Sequence, residues 1–380
     1  MKRIYLDHAA TTPLAATARE AMLPFLESQF GNPSSLYLEG RTSRQATDSA
    51  RVVISEAMDC LFAEIAFTSS GTEAAVMAII GACLAHQGGS RNRLVFGAIE
   101  HHCVLSCQKI AERLGYRVNI APVDHYGRID IDSLANLMGN DILLVAVQHA
   151  NNEIGTVQPI DEVLGLCKRF GALSFCDAIQ TFGTYPVPDA DLTSLSAHKV
   201  NGPKGVGALR VRAGTKIEPI LAGGGQEREL RGGTENVAGI VGFGAAVTQL
   251  QGCPDGRQNA RSMFVESLDS KVHDYLVWTT PLSWGENSSK LLPGHVHFRF
   301  PGIKADSMLV RLDRLGVSAS SGAACSSGSL EASHVMMACG YDENAARESL
   351  RFTFGRESTV DDAIEAALLV AESFKAIKRS

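Results

Sequence analysis

Short apolar runs recur along the chain, each ending in a small or polar cluster, with helix-period patterns between them. Residues 142–147 read Ile-Leu-Leu-Val-Ala-Val, which predicts a strand buried on both faces at the centre of a parallel sheet. It opens into the polar cluster Gln148-His149-Ala150-Asn151-Asn152-Glu153. Residues 173–176 form a second such strand ending at Asp177, and residues 191–195 a third, ending in Ser196-Ala197-His198-Lys199. Further strands are predicted before Ser69-Ser70-Gly71 and at 93–99, 118–120 and 205–211. Helices are predicted at 15–25, 46–61, from Gly71 to about 84, at 104–114, 130–137 and 160–170, and up to about 250. Alternation of strand and helix from Ile65 to Lys199 predicts a mostly parallel, doubly wound α/β sheet.

From about residue 257 the texture changes. Strand-like stretches at 275–279 and 295–300 enclose a loop rich in Trp, Gly and Ser. A helix at 306–315, strands at 317–320 and 350–355, and a closing helix at 361–377 follow. A chain of 380 residues suits a large catalytic domain with a smaller one beside it.

Charge and composition narrow the function classes. The formal net charge is −6 and no long basic block occurs, so nucleic acid is not expected as a direct partner. The first residues run straight into a strand pattern, and no long uncharged apolar span occurs; the expected location is the cytoplasm, with no membrane contact. Nine cysteines lie scattered without a CxxC, which predicts reduced, mostly buried and inert thiols. Cys325 is the exception: its Gly, Ala and Ser neighbours predict an exposed, reactive thiol.

A lysine at a strand end, as Lys199 is, can form a Schiff base with an aldehyde once its pKa is lowered. Lys204, in the same loop, competes on composition alone. Asp177, at the end of the neighbouring strand, changes the balance. Pyridoxal phosphate needs a lysine on its aldehyde and an acid against its ring nitrogen. Both residues fall at the rim where open α/β sheets bind ligands. Ser69-Ser70-Gly71-Thr72-Glu73 reads either as a phosphate-binding helix N-terminus or as an ordinary helix cap. His101 could stack on a planar cofactor. Metal binding by His101 and His102 is the rival reading, but adjacent side chains diverge and no third ligand has recognisable spacing. Arg351, set among apolar residues, calls for an anionic mate, either a protein acid or a substrate carboxylate.

Several of these segments carry a family resemblance. They are Tyr5-Leu6-Asp7-His8-Ala9-Ala10-Thr11-Thr12, Phe30-Gly31-Asn32-Pro33-Ser34, Asn151-Asn152-Glu153-Ile154-Gly155, Ser196-Ala197-His198-Lys199 with Gly202-Pro203-Lys204-Gly205, Arg231-Gly232-Gly233-Thr234, and Ser320 to Ser327 around Cys325. In this order and over essentially the whole chain they resemble the cysteine desulfurases of the NifS/IscS type, class V aminotransferases of PLP fold type I. The resemblance implies a large domain, 16–255, with a mostly parallel seven-stranded sheet. A smaller α+β domain, 256–380, would carry the cysteine loop, and residues 1–15 would join it.

It further implies that Lys199 is the Schiff-base lysine, Asp177 the partner of the pyridine nitrogen and Gln180 that of the ring hydroxyl. His101 would stack on the ring and could shuttle protons. Gly71, Thr72, Ser196 and His198 would hold the phosphate, with Thr234 added from the partner subunit of a homodimer. Asn152, also beside the cofactor, and Arg351 would hold the carboxylate of L-cysteine. Cys325 would take the sulfur as a persulfide and pass it to an acceptor protein, for iron–sulfur cluster assembly or for tRNA or DNA sulfur modification. The chain departs from the family at Ala323, where Ser is commoner, at His8, where Asn or Tyr is usual, and in a shorter tail after Arg351. The Cys325 segment resembles the long-loop group, which implies free cysteine over selenocysteine. A PLP-dependent aminotransferase or C–S lyase of the same fold would need Lys199 but no exposed cysteine; a non-enzymatic scaffold would need neither.

Overall fold

The structure is a computed structural model that describes residues 2–250, 252, 254–280, 290–321 and 332–379. Cys325, Ala323 and the glycines flanking them lie outside the described residues.

Strands β1 (Ile4–Tyr5), β2 (Ile65–Thr68), β3 (Arg93–Gly97), β4 (Arg117–Ala121), β5 (Ile142–Ala146), β6 (Leu173–Asp177), β7 (Leu192–Ser196) and β8 (Gly207–Val211) come first along the chain. They are followed by β9 (Val277–Trp278), β10 (His295–Arg299), β11 (Val317–Ser318) and β12 (Ser349–Thr353). A seven-stranded sheet has the order β2-β8-β7-β6-β5-β3-β4. β5, the expected central strand, is buried at every position. All neighbours pair in parallel except β8, which runs antiparallel to β2 and β7. Its reversal follows from the connection. Ser196 to Gly207 is too short for the crossover of a dozen or more residues that a parallel neighbour requires. Since β2 and β7 are both antiparallel to β8, the C-terminal ends of β2, β3, β5, β6 and β7 lie along one rim.

Apolar helices cover both faces. Gly71–Ala85 packs on one face with Phe96, Leu144 and Phe175, and Val237–Leu250 on the other with Ile65, Phe67 and Leu195. A separate core sits on a three-stranded antiparallel sheet, β12-β10-β9. Phe298 and Phe352 stack there with ring centroids 5.5 Å apart. β1 pairs in parallel with β11, and Asp7 bridges to Thr353 at the end of β12. The N-terminal segment thereby leads from this second core to the rim of the large sheet.

Several helices differ from the sequence expectation, among them three that bear on the large sheet and the second core. The helix expected at 46–61 spans Leu38–Ala57. Its first turns bury Gly40 and Ser43, small residues without an apolar period, and a Cβ at Gly40 would stand 2.4 Å from the Ser35 carbonyl oxygen. The stretch 104–114 is two helices, His102–Leu105 and Cys107–Arg113. Helix Arg257–Val272, not expected, carries Ala260, Phe264, Leu268 and Val272 on its buried face, an i,i+4 signal present in the sequence.

Candidate active site

A cavity of about 370 Å³ opens at the rim. Among the described residues, all the expected site residues line it except Thr234; Cys325 lies outside the described residues. Thr234 is exposed in its loop.

Each wall has a local cause. After β7 the chain makes a single 3₁₀ turn, Ala197–Lys199, that swings Lys199 into the cavity. The chain then folds back so closely that a Cβ at Gly202 would lie 2.8 Å from the Ala197 carbonyl oxygen. Lys199 Nζ donates to the Ala9 carbonyl and, at 2.8 Å, to that of Ala10. Lys204, its rival on composition, is exposed and lies outside the cavity lining. The Asp177 carboxylate accepts the Ile179 N–H at 3.0 Å. Burial pushes its pKa up to about 6, against the pull of that N–H and of the Lys199 charge. Gln180 donates to the Ala9 carbonyl at 3.1 Å.

β2 ends at Thr68, and the helix Gly71–Ala85 starts at the cavity edge. Ser70 caps it by accepting the Glu73 N–H at 3.1 Å, and the Glu73 carboxylate returns to the Ser69 N–H at 2.8 Å. Arg231 Nε holds the same carboxylate at 2.7 Å. The cap reading and the phosphate reading are therefore compatible, because the cap uses Ser70 and Glu73 while Gly71 and Thr72 line the cavity. Gly207 must be glycine here, since a Cβ would meet the Ser70 backbone at 2.6 Å. His198 Nδ1 lies 3.1 Å from Thr11 Oγ1, and burial, with the charges of Lys199 and Lys204, lowers its pKa to about 4.

His101 follows β3. Its Nδ1 accepts the Cys103 N–H at 3.2 Å, and burial followed by the positive charge of Lys199 lowers its pKa to about 4. No group of three or more His, Cys, Asp or Glu among the described residues could hold a metal ion.

The opposite wall comes from β12. Arg351 is 1% exposed; its Nη2 donates to Asp7 Oδ1 at 2.6 Å and its Nη1 to the Asn152 carbonyl at 2.9 Å. Its Nε has no hydrogen-bond partner among the described residues. Asp7 is thus the anionic mate within the protein. Cys103, Gln148 and the Ala9 and Ala10 backbone also line the site and were not singled out as site residues from sequence. Ala9 and Ala10 lie in the Tyr5 to Thr12 segment that carries part of the family resemblance. Cys103 carries no signal beyond its neighbour His101.

The donor set fits pyridoxal phosphate. A helix N-terminus with hydroxyls suits a phosphate, a buried acid suits the pyridine nitrogen and a half-buried amine at the cavity suits the aldehyde. The cavity is also the size of small cofactor sites.

The aminotransferase class-V family matches residues 4–365, and the chain belongs to that family. Within it the chain falls among the cysteine desulfurases, which depend on pyridoxal phosphate. It is 42% identical over 371 residues to the cysteine desulfurase IscS of Dictyoglomus turgidum, covering 95% of this chain and 92% of that one. Among solved structures it superposes on a NifS-like protein with TM-score 0.89 and 30% identity, over 98% of this chain and all of the other. A structure of SspA in complex with cysteine matches with TM-score 0.80 and 29% identity, over 93% and 99% of the two chains.

Proposed function

We propose that the chain removes sulfur from L-cysteine, giving L-alanine and a persulfide on Cys325 that passes to an acceptor protein. The observation that carries this reading is the single cavity that joins Lys199 and Asp177 to Arg351 and Asn152. Bound there, pyridoxal phosphate supplies an electron sink that makes the α-proton of the substrate acidic and its sulfur removable. Gly71, Thr72, Ser196 and His198 hold the phosphate. Asp177 would keep the ring nitrogen protonated, Gln180 would bond the ring hydroxyl, and His101 would pack against the ring. Arg351 and Asn152 orient the substrate carboxylate. The Lys199 amine, held near two carbonyl oxygens, takes and returns the α-proton. The Cys325 thiolate attacks the substrate sulfur; cysteine and a protein thiol become alanine and a protein persulfide, with no outside oxidant. An aminotransferase or lyase would need Lys199 but no such thiol, and the named relatives do not favour it.

The assembly we infer is a homodimer. Thr234, exposed on its own chain, reaches the phosphate of the partner's site from a loop tied to Glu73 by Arg231. The division into 1–15, 16–255 and 256–380 is proposed on the two separate cores. A cytoplasmic location is proposed as well; among the described residues no helix is long and apolar enough to cross a membrane.

The test incubates the wild type and Cys325→Ser with cysteine in the absence of reductant, followed by intact mass and alanine assay. The wild type is expected to gain one sulfur atom, mapped to Cys325, and the variant to release almost no alanine. Near-normal release of pyruvate by the variant, with no persulfide on the wild type, would overturn the reading.

A further inference from the structure

Cys103 stands beside the cavity and the proposed chemistry gives it no part. Its position relative to His101 is unusual: one imidazole nitrogen, Nδ1, meets both the Cys103 backbone N–H at 3.2 Å and the Cys103 Sγ at 3.0 Å. A backbone amide can only donate, so the Nδ1 it points to must offer a lone pair and carries no proton. The thiol that meets the same nitrogen must then donate too. Cys103 is able to do so, because burial pushes its pKa up and keeps it a neutral thiol. The same neutrality makes it a poor sulfur nucleophile and no competitor for Cys325.

We propose that Cys103 is a positioning residue that, with its own backbone amide, locks His101 as the Nε2–H tautomer and fixes the ring plane at the cavity wall. Both bonds come from a residue two positions along the chain, at the first turn of helix His102–Leu105, so the ring cannot turn over without breaking both. His101 in this state is a hydrogen-bond donor at Nε2. It can accept a proton only at Nδ1, where the lone pair is already engaged. His101 is therefore not the base in the resting protein, and removal of the substrate proton falls to Lys199. This narrows the proton-shuttle role that the family resemblance implies.

The test reads the tautomer directly. Protein labelled with ¹⁵N-histidine is examined by NMR without cofactor, and the His101 signals are assigned with a His101→Gln variant. Wild type and Cys103→Ser are expected to show a protonated Nε2 and an unprotonated Nδ1. Cys103→Ala, keeping only the amide donor, is expected to shift its Nδ1 signal and to admit some Nδ1–H form. In the loaded enzyme Cys103→Ala should lower kcat by about three- to tenfold, the scale of one hydrogen bond, with KM unchanged and Cys103→Ser restoring the rate. A protonated Nδ1 in the wild type would overturn the proposal, as would a Cys103→Ala protein with the wild-type Nδ1 signal. The kinetic arm rests on the desulfurase reading and the tautomer does not. A cysteine-inactive protein with the expected NMR signals therefore fails only the former.

Discussion

Arg51 and Arg351 are 3% and 1% exposed, and each is paired with a carboxylate, yet the two sites are built differently. Arg51 grips Glu227 through two donors, at 2.7 and 2.8 Å, and gives a further bond to the Ile65 carbonyl. Its guanidinium lies 4.6 Å from the Phe67 ring centroid, and Glu227 also accepts the Phe67 N–H at 2.9 Å. This pair seals the free edge of β2 and holds Glu227, Arg228 and Glu229 at φ values of 47°, 56° and 66°, a left-handed run that side chains rarely adopt. Arg351 instead meets Asp7 through one nitrogen, rests a second on a backbone carbonyl, and lines the cavity. Burial and a counter-ion are common to both. The two-donor grip on Glu227 and the bond to the Ile65 carbonyl make Arg51 a clamp for the backbone, whereas Arg351 makes a single-nitrogen ion pair at the cavity wall.

The largest effect is expected for Arg51→Ala. It leaves Glu227 buried and unpaired, for an expected stability loss of about 3–5 kcal/mol by denaturant unfolding. Cysteine affinity in the fraction still folded should not change. A variant of unchanged stability with weakened cysteine binding would place Arg51 with Arg351.

Asp177 tests the same contrast from the acid side. Its pKa is raised from the ordinary 3.8 to about 6, so the folded protein binds more protons than the unfolded chain between those values. Stability of the cofactor-free protein should therefore fall as pH rises through this window and level off above it, by about 3 kcal/mol at most. Asp177→Asn should remove that slope, make the cofactor-free protein more stable at pH 7 and weaken cofactor binding. Thermal melts from pH 4 to 8 that show the same slope in both proteins would refute the assignment.

Arg351→Lys keeps the charge and loses the fork. An increase in KM for cysteine of about tenfold is expected, with the cofactor spectrum intact. If the cofactor is lost while cysteine affinity holds, Arg351 is structural, like Arg51. The smallest effect is expected at Lys204, exposed and outside the cavity lining. Lys204→Ala should alter stability by less than about 0.5 kcal/mol, and borohydride should still attach the cofactor to Lys199.

Much of the rim was legible in the sequence because apolar runs end where a parallel sheet ends. Asp177 and the Ser196–Lys199 turn follow such runs directly, and Gln148 to Glu153 follow β5. Motif order carried the rest of the predicted lining, from Gly71 to Arg351. Helix Arg257–Val272 was also legible, through four apolar residues spaced four apart, although its buried Arg261 and polar neighbours obscure it.

Other features have no local signal. Asp7 and Arg351 are 344 positions apart, so only the closure of β1 and β12 around the rim decides that the arginine has a protein acid as its mate. The contacts that hold Lys199 in the cavity are a turn in which Gly202 packs on Ala197 and the carbonyls of Ala9 and Ala10, from a segment 190 positions away. The shared lone pair of His101 depends on the placement of a thiol to within a hydrogen-bond length, which a neighbouring letter does not specify. Local patterning determined the elements and their ends, because hydrophobic period and backbone propensity act over a few residues. Partners of charged side chains and the close contacts around the site were decided only by tertiary structure, because they depend on distances between residues that the chain order leaves free.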